Sequence, residues 1–428
     1  SNTGGTDVTT GLGESFDIKG TAVDAKELSV WQKIVDFLVE LFSRLFVVGF
    51  FLDPKTRTFD GKINQAEWKT NANNIAMAGG SALKKHLLGP PAVSEEDATK
   101  RLAEIIDAQN PDITKAEVNN IAKALYGELK SIYTESGLND NQLDALQAAL
   151  VKAGPKAFGG KPGAWLQKRL AATTDEQRAA NLKTDCTNAG SADELRAALA
   201  VSVPEFAAMD PATQLQLATQ LFAVKDNPDA PAAFTKLAAS GPFQNLPASS
   251  KGLLLKALEN QGNSPQAANI TGEAATGLDQ LRASWQAANL PADRMRAMTQ
   301  LAAETLAGVP KDSALYKATV DLIGKKEFRA LAPDTQKALL NAIKDGGYDA
   351  EVISSLSSAI DSNNFSKLSG EMQQQILGQL AQAKTETARA NVLRLIDNKG
   401  FRALPQAEQQ KILGMIARGG EQIQSQST

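Results

Sequence analysis

The chain has 428 residues, 43% hydrophobic and 22% charged, the balance of a globular rather than a disordered protein. Its 45 basic and 48 acidic residues leave a net charge of −3, so there is no whole-chain electrostatic case for nucleic acid or an anionic membrane. A single cysteine, Cys186, excludes an intrachain disulfide framework and any cysteine-based zinc site.

The first 23 residues, rich in Gly, Thr and Asp, read as a mobile tail, and Ser1-Asn2 as a cloning remnant that leaves any native leader outside the sequence. A helical pattern then runs from about Lys26 to Leu52. Within it Lys33, Asp36, Glu40 and Arg44 follow at intervals of 3, 4 and 4, which places all four on one helical face. The uncharged run Leu45–Leu52 has 8 residues, against roughly 20 needed to cross a bilayer. The segment reads as an amphipathic helix buried in a domain core. Insertion into a membrane surface is the rival reading, and a membrane span comes after it.

The pattern breaks at Asp53-Pro54 and resumes at Gln65, with Gly79-Gly80 and Gly89-Pro90-Pro91 as punctuation. His86, the only histidine, falls at a helix end with no nucleophile motif nearby, so a triad or a histidine-based metal site has nothing else to rest on. Ser94 followed by Glu95, Glu96 and Asp97 is a helix start, with acids at the positive end of the dipole. That helix turns Leu102, Ile105 and Ile106 inward. Further helices are expected from Thr114, Asn139 and Gly163. Gly159-Gly160-Lys161 lacks the preceding strand of a phosphate-binding loop. No stretch alternates as a sustained β-strand does.

From about residue 190 the chain repeats. Phe206, Phe243, Trp285, Phe328, Phe365 and Phe401 are spaced 37, 42, 43, 37 and 36 residues apart, each followed by Leu or Met and a Gln-rich amphipathic stretch. In the last copy Val392, Leu393, Leu395 and Ile396 form an inward stripe, and Lys399-Gly400 closes that helix. Phe401 and Leu404 fill a corner, Pro405 opens the next helix, and Ile412, Leu413 and Ile416 face back. A period of this size marks stacked helical hairpins, each too small to bury its apolar face alone. In this respect the region is similar to HEAT-type arrays, and the resemblance implies a right-handed α-solenoid whose usual work is binding another macromolecule or acting as a rigid spacer.

A second resemblance covers twelve residues. Thr56-Arg57-Thr58-Phe59-Asp60-Gly61-Lys62-Ile63-Asn64-Gln65-Ala66-Glu67 resembles the loop of the EF-hand family. It implies calcium ligation by Thr56, Thr58, Asp60, the Lys62 carbonyl, Asn64 and Glu67, with Gly61 at the sharp turn. Thr56 and Thr58 stand where the family carries acidic or amide residues. The two remaining carboxylates imply a Kd on the order of 10⁻⁴–10⁻³ M. A fainter copy, Asn110 to Glu117, aligns Ile113 with Ile63 and Glu117 with Glu67, but Pro111 replaces the glycine. Asn64-x-x-Glu67 and Thr114-x-x-Glu117 are equally capping boxes. Three readings stay open: a metal-free pair of hands, weak calcium binding by the first loop, and ordinary caps.

The expectation is therefore an all-α protein: a tail over 1–23, a helical domain with EF-hand-like turns over 24–155, a connecting segment over 156–190, a solenoid of about six hairpins over 191–420, and a tail over 421–428. Its expected function is non-enzymatic protein–protein interaction or scaffolding, with another protein as partner, no nucleic acid and no firm cofactor. A calcium-modulated module using residues 56–67 is the alternative, and an enzyme of unknown type the second. Composition is also similar to secreted or injected proteins of Gram-negative bacteria or their phages, which leaves localisation open between secreted and cytoplasmic.

Overall fold

The computed structural model describes residues 80–109, 114–135, 137–153, 157–159, 162–310 and 312–426. The fold is all-α, and no β-strand occurs among the described residues. The EF-hand-like loop with Thr56, Thr58, Asp60, Lys62, Asn64 and Glu67 lies outside them, as do the 26–52 segment and residues 110–113. No described helix is long and apolar enough to cross a membrane.

The chain divides into two compact units, Ser1–Ala239 and Ser240–Thr428. The first contains α1 (Gly80–Leu88), α2 (Glu95–Gln109), α3 (Lys115–Glu135), α4 (Asp140–Ala153), α5 (Pro162–Leu170), α6 (Asp175–Asn188), α7 (Ala192–Ser202), α8 (Pro204–Ala207), α9 (Pro211–Ala223) and α10 (Ala230–Ala238). The starts follow local chemistry. The Asp97 N–H donates to the Ser94 hydroxyl at 3.1 Å, satisfying one of the orphan donors of α2. Asn139 and Gln142 exchange backbone-to-side-chain hydrogen bonds at 2.8 Å to open α4. Residues 156–190, where breakers suggest a connection, contain α5 and α6. Gly163 falls in the first turn of α5, and Gly190 follows the end of α6. At the centre is α7, against which α4, α5, α6, α8 and α9 all pack.

The second unit contains α11 (Gly241–Asn245), α12 (Ala248–Asn260), α13 (Pro265–Ala287), α14 (Ala292–Gly308), α15 (Ser313–Ile323), α16 (Lys326–Ala330), α17 (Pro333–Asp345), α18 (Ala350–Asp361), a 3₁₀ turn (Phe365–Lys367), α19 (Gly370–Gln382), α20 (Glu386–Asp397), α21 (Lys399–Ala403) and α22 (Gln406–Gln426). Equivalent helices pack on one another in sequence. One row runs α13, α15, α18, α20, and another α12, α14, α17, α19. Polar links join neighbouring copies: Lys325 Nζ to the Asp361 carboxylate at 2.9 Å, and the Ser362 hydroxyl to Asp397 at 2.6 Å.

The corner aromatics are all buried, none more than 4% exposed. Sequence pattern places them in a turn, but the structure gives most of them a helix of their own. Phe206, Phe243, Phe328 and Phe401 sit in the four- or five-residue helices α8, α11, α16 and α21, and Phe365 opens the 3₁₀ turn. So short a helix cannot satisfy its own last carbonyls. In four of these five corners a glutamine eight residues on supplies the partner, whereas Lys251 holds that place after Phe243. Gln214, Gln336, Gln373 and Gln409 donate Nε2 to the carbonyls of Phe206, Phe328, Phe365 and Phe401 at 2.9, 3.0, 3.1 and 2.9 Å. Each bond ties a corner to the helix that follows it.

The Trp285 copy is built differently. The 23-residue α13 runs straight into the corner, and Asn289 takes a left-handed φ of 56°. The Leu290 N–H then reaches back to the Trp285 carbonyl at 3.1 Å, the six-to-one bond of a Schellman ending, whose two positions commonly carry apolar residues. Here Asp293 occupies the place of the glutamine. The longer intervals around Trp285 thus arise from a longer helix and a different cap.

Candidate functional site

The first unit concentrates the buried charge. Although α7, ADELRAALAVS, carries three charged residues, everything from Asp193 to Ala200 is buried. The charges survive burial because each finds a partner. Lys152 Nζ lies 3.1 Å from the Asp193 carboxylate. Glu194 accepts from the Phe158 backbone N–H and the Ser191 hydroxyl, both at 3.2 Å. Arg196 Nε donates at 3.0 Å to Gln214 Oε1, the same glutamine that caps Phe206. Burial lowers the pKa of Arg196, and Asp193 and Asp144 oppose that shift.

A concavity of about 360 Å³ opens beside this layer. Phe158 stacks on Trp165 with ring centroids 3.8 Å apart, and the Arg169 guanidinium carbon sits 5.0 Å from the Trp165 ring centroid. Trp165 Nε1 donates to Asp185 Oδ1 at 2.7 Å and Arg169 Nε to Oδ2 at 3.0 Å, while Arg169 Nη2 also reaches Oδ1. Burial raises the Asp185 carboxyl above its ordinary value, and the Arg169 and Trp165 hydrogen bonds resist the rise. All four oxygens of Asp185 and Glu194 are already engaged within the protein. These groups clamp α5, α6 and α7 together.

Cys186 follows Asp185 on α6 and is 1% exposed. Burial, reinforced by the negative Asp185, pushes its thiol up to about 12, which removes the thiolate a nucleophile needs at neutral pH. His86 lies half-buried in the last turn of α1, where its backbone carbonyl accepts from Arg101 Nη1 at 2.7 Å. Glu95 and Glu96 are exposed at the start of α2. Among the described residues no group of three or more His, Cys, Asp or Glu side chains could hold a metal ion.

The larger concavity is a groove of about 820 Å³ formed by α6, the Val203–Glu205 corner and α10. Its walls are largely apolar, from Ala179 and Leu182 on one side to Pro231 and Ala232 on the other. Arg178, on the α6 side, pairs with Asp175. Lys183 and Lys236 are exposed and also line the groove, and among the described residues neither has an ion-pair partner. Thr235, also in the lining, has a hydroxyl oxygen that is buried without a hydrogen-bond partner. A polar group left so costs roughly 1–3 kcal/mol relative to one that is paired.

No sequence signal marks this groove, because its three walls come from stretches separated along the chain and only packing brings them together. The glutamine eight residues after four of the six aromatics was available as a spacing, but composition alone reduces it to a Gln-rich helix. The corner aromatics are core, not exposed clamps, in all six copies. No protein-family model, curated protein or solved structure matches the chain.

Proposed function

We propose that this chain is a non-enzymatic interaction or scaffold protein whose partner is another protein. The observation that carries the reading is the open, mostly apolar groove of about 820 Å³, since apolar concavities with a few placed polar groups are where folded proteins take ligands and peptide segments. The second unit supports it. Like helices pack on like helices copy after copy, as in a right-handed α-solenoid similar to HEAT-type arrays, and such arrays present extended faces to macromolecules.

The test is affinity capture from a lysate of the source cells, with the full chain and its Ala232→Trp variant as paired baits. Ala232 is exposed in the groove wall, so the indole fills the concavity without entering the core. The reading requires a partner retained by the native chain and lost with the variant. Identical profiles from both baits and from bare resin count against it.

A further inference from the structure

Resting on the protein-binding reading above, we infer that the α6–α10 groove takes an acidic amphipathic helix from a partner protein. The argument is one of charge complementarity around an apolar floor. Arg178 is neutralised by Asp175 inside the groove rim, but Lys183 on α6 and Lys236 on α10 are left without ion-pair partners among the described residues. The lining as a whole sets Arg178, Lys183 and Lys236 against Asp175 and Glu205, so its charge is net +1 although the whole chain carries −3. The floor supplies Leu182, Val203 and Pro231 to an apolar stripe. A helix offers that stripe and flanking carboxylates together, at positions three and four apart on one face. A basic helix would meet the same floor against two like charges, so the lysines select as well as attract.

The probe is a pair of labelled peptides about four helical turns long. Both carry the same leucine stripe, one with glutamates and one with lysines on the polar face. Fluorescence anisotropy on the full chain measures each affinity. The acidic peptide should bind about tenfold tighter than the basic one at low salt, from two exposed charge pairs, and the gap should close at high salt. The double variant Lys183→Glu/Lys236→Glu should reverse the order, and Ala232→Trp should weaken both peptides. Both lysines are exposed, so thermal melting should match the native chain in the double variant.

Equal affinities, an order unchanged by the double variant, or binding that survives Ala232→Trp would each overturn the inference. Self-association of the chain that Ala232→Trp abolishes would make a second copy the occupant and overturn it too. If neither peptide binds while the capture experiment still yields a groove-dependent partner, the acidic-helix inference fails and the protein-binding reading stands.

Discussion

Gln336 Nε2 donates a 3.0 Å hydrogen bond to the carbonyl oxygen of Phe328, eight residues before it, and that carbonyl also accepts the Leu331 N–H at 3.1 Å. Both lone pairs of one buried carbonyl are thereby used, one by the corner helix and one by the helix that follows. Gln336 is only 2% exposed, so water cannot replace its amide. Replacing Gln336 with Leu should lower stability by about 1–2 kcal/mol, since it removes one partner and leaves the other acceptor site buried. Gln382→Leu, at an exposed position on α19, is the control and should change little. Chemical denaturation of the three proteins measures both.

The Trp285 corner predicts the opposite sensitivity. Its cap depends on the left-handed Asn289 rather than on a glutamine. Asn289→Gly should be neutral or slightly stabilising. Asn289→Val should cost about 1–2 kcal/mol, because a β-branched residue resists φ near +56°. Equal melting temperatures for the two variants would show that the Schellman ending does not operate there.

The Arg169–Asp185 pair is tested by a double-mutant cycle. Arg169→Met or Asp185→Leu alone should cost about 3–5 kcal/mol, each stranding a buried charge. The double substitution should cost much less than the sum of the two, because an apolar pair of similar size removes both charges together. Additive losses would mean that the two side chains act independently.

Cys186 provides a reporter of unfolding. Its folded-state thiol is raised from an ordinary value of 9.0 to about 12. For an acid whose folded pKa is raised, the stabilising contribution is complete below the unfolded value and is lost as pH climbs towards the folded one. The chain should therefore lose stability between pH 9 and about 12, and Cys186→Ala should lessen that part of the loss. At neutral pH a thiol reagent should label the native protein only as fast as the first unit opens, and in denaturant at once.

The burial of the six aromatics was legible because a large aromatic recurring at nearly constant spacing has few uses other than filling core. The start of α2 was legible for a similarly local reason, since Ser94 and its acidic successors cap and charge the first turn without distant help. The corner helices were not. Five residues such as Lys326–Ala330 are too few to show a helical period, and what holds them is an amide arriving from the next helix. Nor was the burial of α7, whose Asp193, Glu194 and Arg196 spell a solvated face until Lys152, the Phe158 N–H and Gln214 are brought to them.

Sequence alone is enough to show that this protein is helical and to single out the aromatics from Phe206 to Phe401 that lie buried, because periodicity, capping and breaker residues act over one or two turns of chain. Tertiary structure alone decided where charge could be buried and where a groove would open. Both depend on which distant segments meet, and a lysine on α6 and another on α10 become one positive rim only after the chain has folded.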